Sequence, residues 1–519
     1  LLLAGIIGVS AGEAQDLAGL KAMRKKAAHR QRRIIFNNDG DDIVYECKAP
    51  TAEALLRCRT TALLGSQVDS IFYCTWSSGF GMFTHNSKVS EVFTAKTGVF
   101  SPNLTGAFIE RGLDPLTIMV DFCHKNGIEI FWSMRMNDTH DVDPKYPELF
   151  PQFKKDHPEF LVGSKERPCK FGRWTSVNYE CPEVRDRAFA FFQDVCTRYE
   201  VDGVEMDFFR HPTFFKSVAT GGEASQQETD MMTDLVRRVR KLTEEIGAKR
   251  GRPILIAVRT PDSVGYCRAI GLDLEKWLKD DLVDILAVSC YFQLNPWEET
   301  VRLGHKYGVP VYPSLSESRV SGEGGKLRNS LESYRARAMD VWNSGADGVY
   351  IFNQFNPRHP LWRELGDPSS LQKLGKVYFA AVRGFRSTAN PGTWLAGGHR
   401  FINLPTLAPD VPIPLKPGEQ QTIPLAVADD VQWGKGKGVV PQLTLTVQAD
   451  KLVRTDDLSV ALNGKLLSNG ILGKQGVEFQ TLADQIVRGV NNIEISLKPN
   501  AAAANLRDII LWVRYKNTK

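Results

Sequence analysis

Residues 201–212 read VDGVEMDFFRHP, and the alternation inside this stretch decides the fold. Val204, Met206 and Phe208 fall on one face at period two, while Gly203, Glu205 and Asp207 fall on the other. A strand that is apolar outside and acidic inside suits a parallel strand set between a helix layer and a barrel interior. Asp207, in the last turn of that strand and followed by Arg210 and His211, then lies at the carboxyl-terminal mouth, where (β/α)8 barrels carry their chemistry. It is expected to act as nucleophile or proton donor, against the plainer reading of a helix cap or a partner for Arg210. Glu205 is read either as a further catalytic acid or as a buried structural partner deeper in the barrel.

Outward from this strand, short β-branched or aromatic runs alternate with helical segments from residue 33 to about 385, the pattern of βα units on a parallel sheet. Strands are expected at 33–36, 70–75, 128–134, 203–208, 254–259, 285–291, 309–314 and 348–352. Helices are expected at 51–64, 115–125, 182–199, 226–246, 272–279, 296–306, 331–343 and 369–382. The helix at 226–246 has Met232, Leu235, Val236, Val239, Leu242 and Ile246 on one face, with capping-box spacing at Ser225 and Glu228. Eight such repeats favour a closed (β/α)8 TIM barrel over an open doubly wound sheet. No glycine-rich phosphate loop follows the first strand, so no dinucleotide cofactor is expected.

Two connections, 76–114 and 137–181, are long, and both follow strands, so both should wall the mouth of the barrel. They contain Trp76, Phe80, Phe83, Phe93, Tyr146, Phe150, Phe160, Phe171, Trp174 and Tyr179. Two or three of these rings are expected to meet a ligand and the rest to form loop core. After the barrel (30–386), a Pro- and Gly-containing stretch at 387–416 reads as a linker. Short alternating runs at 421–428, 442–448, 458–462, 492–497 and 509–515, separated by turns such as Asn463-Gly464, make 417–519 a C-terminal antiparallel β-sandwich.

The charge balance is +5 on 65 basic and 60 acidic side chains, too even to make nucleic acid or an anionic membrane the expected partner. The opening run LLLAGIIGVSAGEAQ resembles the tail of a secretory leader at 1–14, with cleavage after Ala11 or Ala14, so a periplasmic or extracellular location is expected. No later run is long enough to span a bilayer. Nine cysteines are an odd count for an exported chain. Cys74 and Cys290 read as buried fillers, Cys169 and Cys181 as a possible bridge, and no zinc-type spacing indicates a metal.

Collected at the strand ends are Asn37 and Asp39, Trp76, Arg135 and Asn137, Asp207 with Arg210 and His211, Arg259, Tyr291, Glu317, and Asn353 or Gln354. Several carboxylates without a histidine ligand cluster suit acid/base cleavage of a glycosidic bond. Glu317 is the first candidate for a carboxylate partner to Asp207, Asp262 the second and Asp39 the third. Asp39, Trp76, Arg135, Asn137, Arg210, His211, Arg259, Tyr291 and Asn353 are candidate substrate contacts. Arg135, Arg210, Arg259 and Arg319 come from four strands to one end, which points to an anionic glycan, uronic, sialic or sulfated.

The segment DGVEMDFFRHP resembles the fourth-strand motif of glycosyl hydrolase family ten-like barrels, in which an acid at the position of Asp207 precedes a Tyr- or Arg-containing tail that ends in Pro. The resemblance implies an exported (β/α)8 hydrolase acting on carbohydrate, often with an appended sandwich. Phe208 and Phe209 after the acid, and Glu205 before it, depart from the commoner pattern. A glycoside hydrolase and a non-catalytic glycan-binding barrel both fit these residues. A second carboxyl group about 5 to 9.5 Å from that of Asp207 separates them.

Overall fold

In the computed structural model, residues 11–435, 439–450, 454–473 and 476–515 are described. Eight parallel strands close into a barrel: β1 (Ile34–Asn38), β2 (Val68–Tyr73), β3 (Glu129–Arg135), β4 (Gly203–Asp207), β5 (Leu255–Thr260), β6 (Ile285–Val288), β7 (Val311–Leu315) and β8 (Val349–Ile351). Each pairs with its sequence neighbours, and β8 pairs with β1 to complete the ring. All eight fall on the runs expected from the sequence.

The inner face of β4 is the acidic one, as its parity requires. Glu205 accepts from Ser133 on β3 (2.5 Å) and from Tyr350 on β8 (2.9 Å), a strand on the far side of the ring. Gly203 is fixed by the same face: a Cβ there would lie 2.1 Å from the Phe131 ring, so only glycine lets that ring fill the interior. Helices α1 (Ala52–Arg59), α2 (Pro115–Lys125), α3 (Pro182–Arg198), α4 (Gln226–Arg250), α5 (Leu274–Lys279), α6 (Trp297–Lys306) and α7 (Leu331–Asn343) connect the barrel strands. The capping box at Ser225 and Glu228 is formed, although α4 runs on to Arg250, where Gly251 ends it at φ 68°.

The eighth helix expected at 369–382 does not form. Only Pro368–Leu371 is helical, and Lys376–Phe379 is a strand paired antiparallel with 510–513 of the sandwich. The run VYFAAV is too short for its periodicity to separate helix from strand, and hydrogen bonding to the last strand decides. That sheet continues through Ala504–Arg514, Gln442–Ala449, Gly476–Thr481 and Ile471–Gly473. A second sheet holds Gln420–Val427, Gly489–Leu497, Leu458–Leu462 and Lys465–Leu466. Asn463 and Gly464 take φ 52° and 77° in the hairpin turn, as their pairing in sequence predicts.

Residues 387–416, expected as a linker, are instead packed structure: Trp394 is buried and stacks on His211 at 5.4 Å and Thr393 accepts from the Gly172 amide at the barrel mouth, while Ile413–Leu415 already pairs with 504–506 of the sandwich. Most of the leader expected at 1–14 lies outside the described residues. Ala11–Ala28 is helical, and its basic side chains find partners far away in the chain: Arg24 pairs with Glu244 and Asp281, Lys25 with Asp281. All nine cysteines are free thiols, Cys169 and Cys181 among them, and Cys74 and Cys290 are buried as expected. Among the described residues no helix is long and apolar enough to cross a membrane.

The sandwich is tied to the barrel by a buried charge pair. Arg328, fully buried, donates to both oxygens of Asp508 at 2.7 and 2.8 Å and to the Ala381 carbonyl. Removing one partner strands the other charge in a dry environment. Arg328→Met is therefore expected to cost about 3–5 kcal/mol in urea unfolding, and Arg328→Met combined with Asp508→Leu should recover much of it. An unchanged denaturation midpoint for the single variant would show that the pair does not hold the two parts together.

Candidate active site

A cavity of ≈ 640 Å³ opens at the carboxyl-terminal end of the barrel, between β1, β2, β3 and β4. Its polar wall is Asp39, Asp41, Asp143, Arg135, His140, Arg173 and Arg210, and its rings are Tyr45, Trp76, Phe100 and Tyr146. The backbone around this end is strained. Thr75, Trp76, Ser77 and Phe80 after β2, His211 after β4, Ser289 after β6, Arg319 after β7 and Asn353 after β8 all take positive φ without being glycine. Such conformations cost free energy and collect where a site has to be held in shape.

The two acids after β1 are placed by Gly40, at φ 71°, whose missing Cβ would sit 2.5 Å from the Thr75 nitrogen. That closeness lets the Trp76 amide donate to the Asp39 carbonyl (2.8 Å) and Thr84 to the Gly40 carbonyl (3.1 Å), so the first two loops form one block. Asp39 then meets Arg135 at 2.6 Å, and Asp41 meets Arg59 at 2.5 Å. Burial works against the Asp39 anion, but Arg135, Arg210 and Arg59 outweigh it and hold the carboxyl at about 2. For Asp41 burial prevails over Arg59, with help from the Asp39 charge, and its carboxyl is raised. Two residues apart, one acid is kept ionised and its neighbour is pushed toward the protonated form.

Opposite them, Arg210 donates to the Tyr291 hydroxyl, its Nη2 lies 3.1 Å from His140 Nε2, and its buried Nε has no hydrogen-bond partner. Arg173 donates to the Thr139 carbonyl at 3.2 Å and, among the described residues, forms no ion pair. Burial lowers its pKa, and Arg210 adds to that while Asp138 opposes it. His211 accepts from the Thr139 amide on Nδ1 (2.9 Å), and burial next to Arg173 keeps its ring neutral. With Nδ1 accepting, the neutral ring carries its proton on Nε2, which faces Arg173 Nη1 at 3.4 Å. Two donors facing each other do not satisfy one another.

Asp138, His140 and His211 bring ligand-type atoms within 4.8 Å of one another, a grouping that no spacing in the sequence announces. The donor set suits a cation poorly. Arg135 lies 3.4 Å and Arg210 3.7 Å from Asp138 Oδ2, and His140 Nδ1 takes up the same oxygen at 2.8 Å. Two arginines around one carboxylate already supply its positive partners.

Of the residues expected from sequence, Asp39, Trp76, Arg135 and Arg210 line the cavity. Tyr291 and His211 stand behind it as partners of Arg210 and Arg173. The structure does not bring the other candidates into its wall. Asp207 is buried, with both carboxylate oxygens on Arg259 and Oδ1 also accepting the amides of Phe209 and Arg210. Glu205 is the deeper structural partner already described. Asp262 accepts the amides of Leu294 and Asn295, and Glu317 pairs with Arg319 at 3.0 Å. Asn137 ties the Val177 and Thr213 carbonyls together, and Asn353 sits at a left-handed turn. Of the ten loop rings, Trp76 and Tyr146 face the cavity, while Phe80, Phe83 and Phe93 are buried core. Asp41, Arg59, Tyr45, Asp138, His140 and Arg173 were not singled out from sequence. Asp41 continues the parity of Asn37 and Asp39 and was legible; Arg173 sits inside a long loop and carried no signal.

No family model matches the chain, and no curated protein matches it. Among solved structures it is similar to the glycoside hydrolase domain of PgaB (BpsB) from Bordetella bronchiseptica at TM-score 0.39 and 12% identity, over 65% of this chain and 98% of that one. A family 18 N-acetylglucosaminidase from Paenibacillus barengoltzii gives TM-score 0.36 and 13% identity, over 66% and 98%. The GH36 α-galactosidase AgaA from Geobacillus stearothermophilus gives 0.35 and 13%, over 96% of this chain and 58% of that one. The chain thus spans little more than half of that enzyme, and likewise 57% of a cycloisomaltooligosaccharide glucanotransferase from Paenibacillus sp.. These neighbours are glycoside-acting enzymes, but at such scores they carry neither substrate nor mechanism over to this chain. The resemblance to family ten-like barrels stays confined to the motif in β4.

Glu205 gives a test of the barrel interior. Burial, reinforced by Asp207 and opposed by Arg259, raises its carboxyl from 4.5 to about 7. The folded protein therefore keeps a proton that the unfolded chain releases above about 4.5, so this stabilisation is complete below that pH and is lost as pH rises through about 7. Between pH 4.5 and 8 the wild type should lose on the order of 3 kcal/mol relative to Glu205→Gln. Parallel stability–pH curves for the two proteins would contradict a protonated Glu205.

Proposed function

We propose that the protein is a glycoside hydrolase that works in the mouth cavity, with Asp41 as proton donor and Asp39 as the ionised carboxylate. The observation that carries this reading is the pair itself: two acids in one cavity wall whose surroundings push their protonation in opposite directions, as a bond cleavage with one acid and one base requires. Asp41 would protonate the leaving oxygen. Asp39, held as an anion by Arg135, would attack the anomeric carbon or activate a water there, and Trp76 and Tyr146 would offer faces to sugar rings. In this reading Asp207 acts indirectly, by neutralising Arg259 and holding the β4 end with its backbone bonds.

The substrate we propose is an anionic glycan. Four arginines suggested this from sequence, and three are otherwise engaged: Arg135 by Asp39, Arg259 by Asp207 and Arg319 by Glu317. Support now rests on Arg173, which lines the cavity and, among the described residues, forms no ion pair, beside His211 and Arg210. The leader-like run at 1–14 supports export, to be tested by amino-terminal sequencing of protein recovered outside the cytoplasm.

Asp41→Asn and Asp39→Asn are each expected to lower kcat/KM by about 10²- to 10⁴-fold while leaving the fold intact, measured by reducing-end release from a panel of acidic and neutral glycans. Near-wild-type turnover by both variants rules out this pair. Saturable glycan binding without any product would instead support a non-catalytic glycan-binding barrel. Arg173→Ala should raise KM on a uronic or sulfated substrate by about 10- to 100-fold, with a neutral analogue unaffected. An equal effect on both substrates would mean that Arg173 does not read the anion.

A further inference from the structure

A second cavity, of ≈ 310 Å³, lies in the seam where the barrel, residues 389–405 and the sandwich meet, and it shares no lining residue with the mouth cavity. Its wall is mostly apolar, built from Phe292 after β6, Ala336 on α7, Phe379, Ile402 and Val427. Two arginines interrupt that wall. Arg337 on α7 is 8% exposed, and Arg383, after the strand 376–379, is 7% exposed. Arg383 donates to neutral oxygens: the Glu317 carbonyl at 2.7 Å, the Ser316 hydroxyl at 3.0 Å and the Ser316 carbonyl at 3.2 Å. Arg337 lies 4.8 Å over the Tyr334 ring, and its buried Nη1 has no hydrogen-bond partner. Among the described residues neither guanidinium forms an ion pair, although Asp340 and Glu298 line the same cavity. Those two acids act on each other instead: burial and then Glu298 raise the Asp340 carboxyl to about 7.

A buried cation without an answering charge is costly. The two guanidiniums also weigh on one another, since burial and then the Arg337 charge lower the Arg383 pKa to about 9. What this wall lacks is an anion, and what the rest of it offers is apolar surface. We infer that the seam cavity binds a small amphipathic carboxylate, its oxygens accepting from Arg337 Nη1 and its aryl or alkyl body lying between Phe292, Ala336 and Phe379. The volume stands at the low end of small-molecule sites and suits a ligand of about a dozen heavy atoms. A carboxylate meets a guanidinium through charge-assisted hydrogen bonds, the strong kind, and so supplies the missing charge and the missing acceptor together. An apolar amine is the counter-case: its ammonium would have to turn to Asp340 and Glu298 inside a wall that already holds two positive charges. Because α7 belongs to the barrel and Val427 to the sandwich, the bound molecule touches both parts of the chain.

The probe is phenylbutyrate, titrated against the full chain by ligand-observed NMR beside its neutral amide, phenylbutyramide, and the cation phenylbutylamine. The carboxylate is expected to saturate and to bind about 10- to 100-fold more tightly than the amide. Arg337→Met should erase that difference while leaving the amide at its wild-type affinity. Arg337→Lys keeps a point charge without the planar fork and should retain part of the difference. Ala336→Leu keeps the arginine but fills the cavity, so it should weaken carboxylate and amide alike. The inference is overturned if no probe saturates, if the amide or the amine binds the wild type as tightly as the carboxylate, or if the carboxylate preference survives Arg337→Met. It is equally overturned if Ala336→Leu changes neither affinity, since the probe would then be bound elsewhere.

Discussion

Every charge enclosed by this barrel has to be answered by a partner inside it, since an ion left alone in a dry interior is unaffordable on the scale of a domain's stability. The interior meets that demand in tiers. At the lower end Glu129 receives Arg32 and Ser70. In the middle burial raises the Glu205 carboxyl to about 7, and Ser133 and Tyr350 donate to it. At the top Asp207 is taken up by Arg259, on the neighbouring strand and in direct register with it. Only above that tier do acids meet the cavity: Asp39 and Asp41 of the first loop, and Asp143 from the loop after β3. The location of the site is therefore set by where the pairing ends.

The same tiers explain what the sequence could and could not tell. The parity of VDGVEMDFFRHP is correct, and the inward face of β4 follows from it; the eight strands and seven of the eight helices are likewise legible, because period two and period 3.6 survive in runs of ordinary length. Residues 376–379 are not legible, since their partner is more than a hundred residues away. Parity also names Asp207 as inward without saying which side chain answers it. That depends on the register between β4 and β5, which places Arg259 opposite it. Arg173 illustrates a different limit: it reaches the cavity from the loop after β3, held by the Thr139 carbonyl and flanked by His211 and Trp394, contacts that no periodicity encodes.

The strained turns and the opposed shifts of the Asp39 and Asp41 carboxyls are linked. Left-handed backbone at Thr75, Trp76 and Ser77 bends the second loop back across the first, and Gly40 alone allows the approach. Once the loops are joined, the Asp39 carboxylate is held on Arg135, and Asp41, half-buried, is held beside Arg59. In a flexible loop both acids would turn to water and titrate alike, because solvent equalises charges that the protein does not fix. The opposed shifts of two carboxyl groups two residues apart thus depend on rigidity, and the rigidity is stored in backbone conformations that are costly by themselves. Strain, glycine and ion pairs serve one end here: they hold two carboxyl groups in unlike environments at the same wall of one cavity.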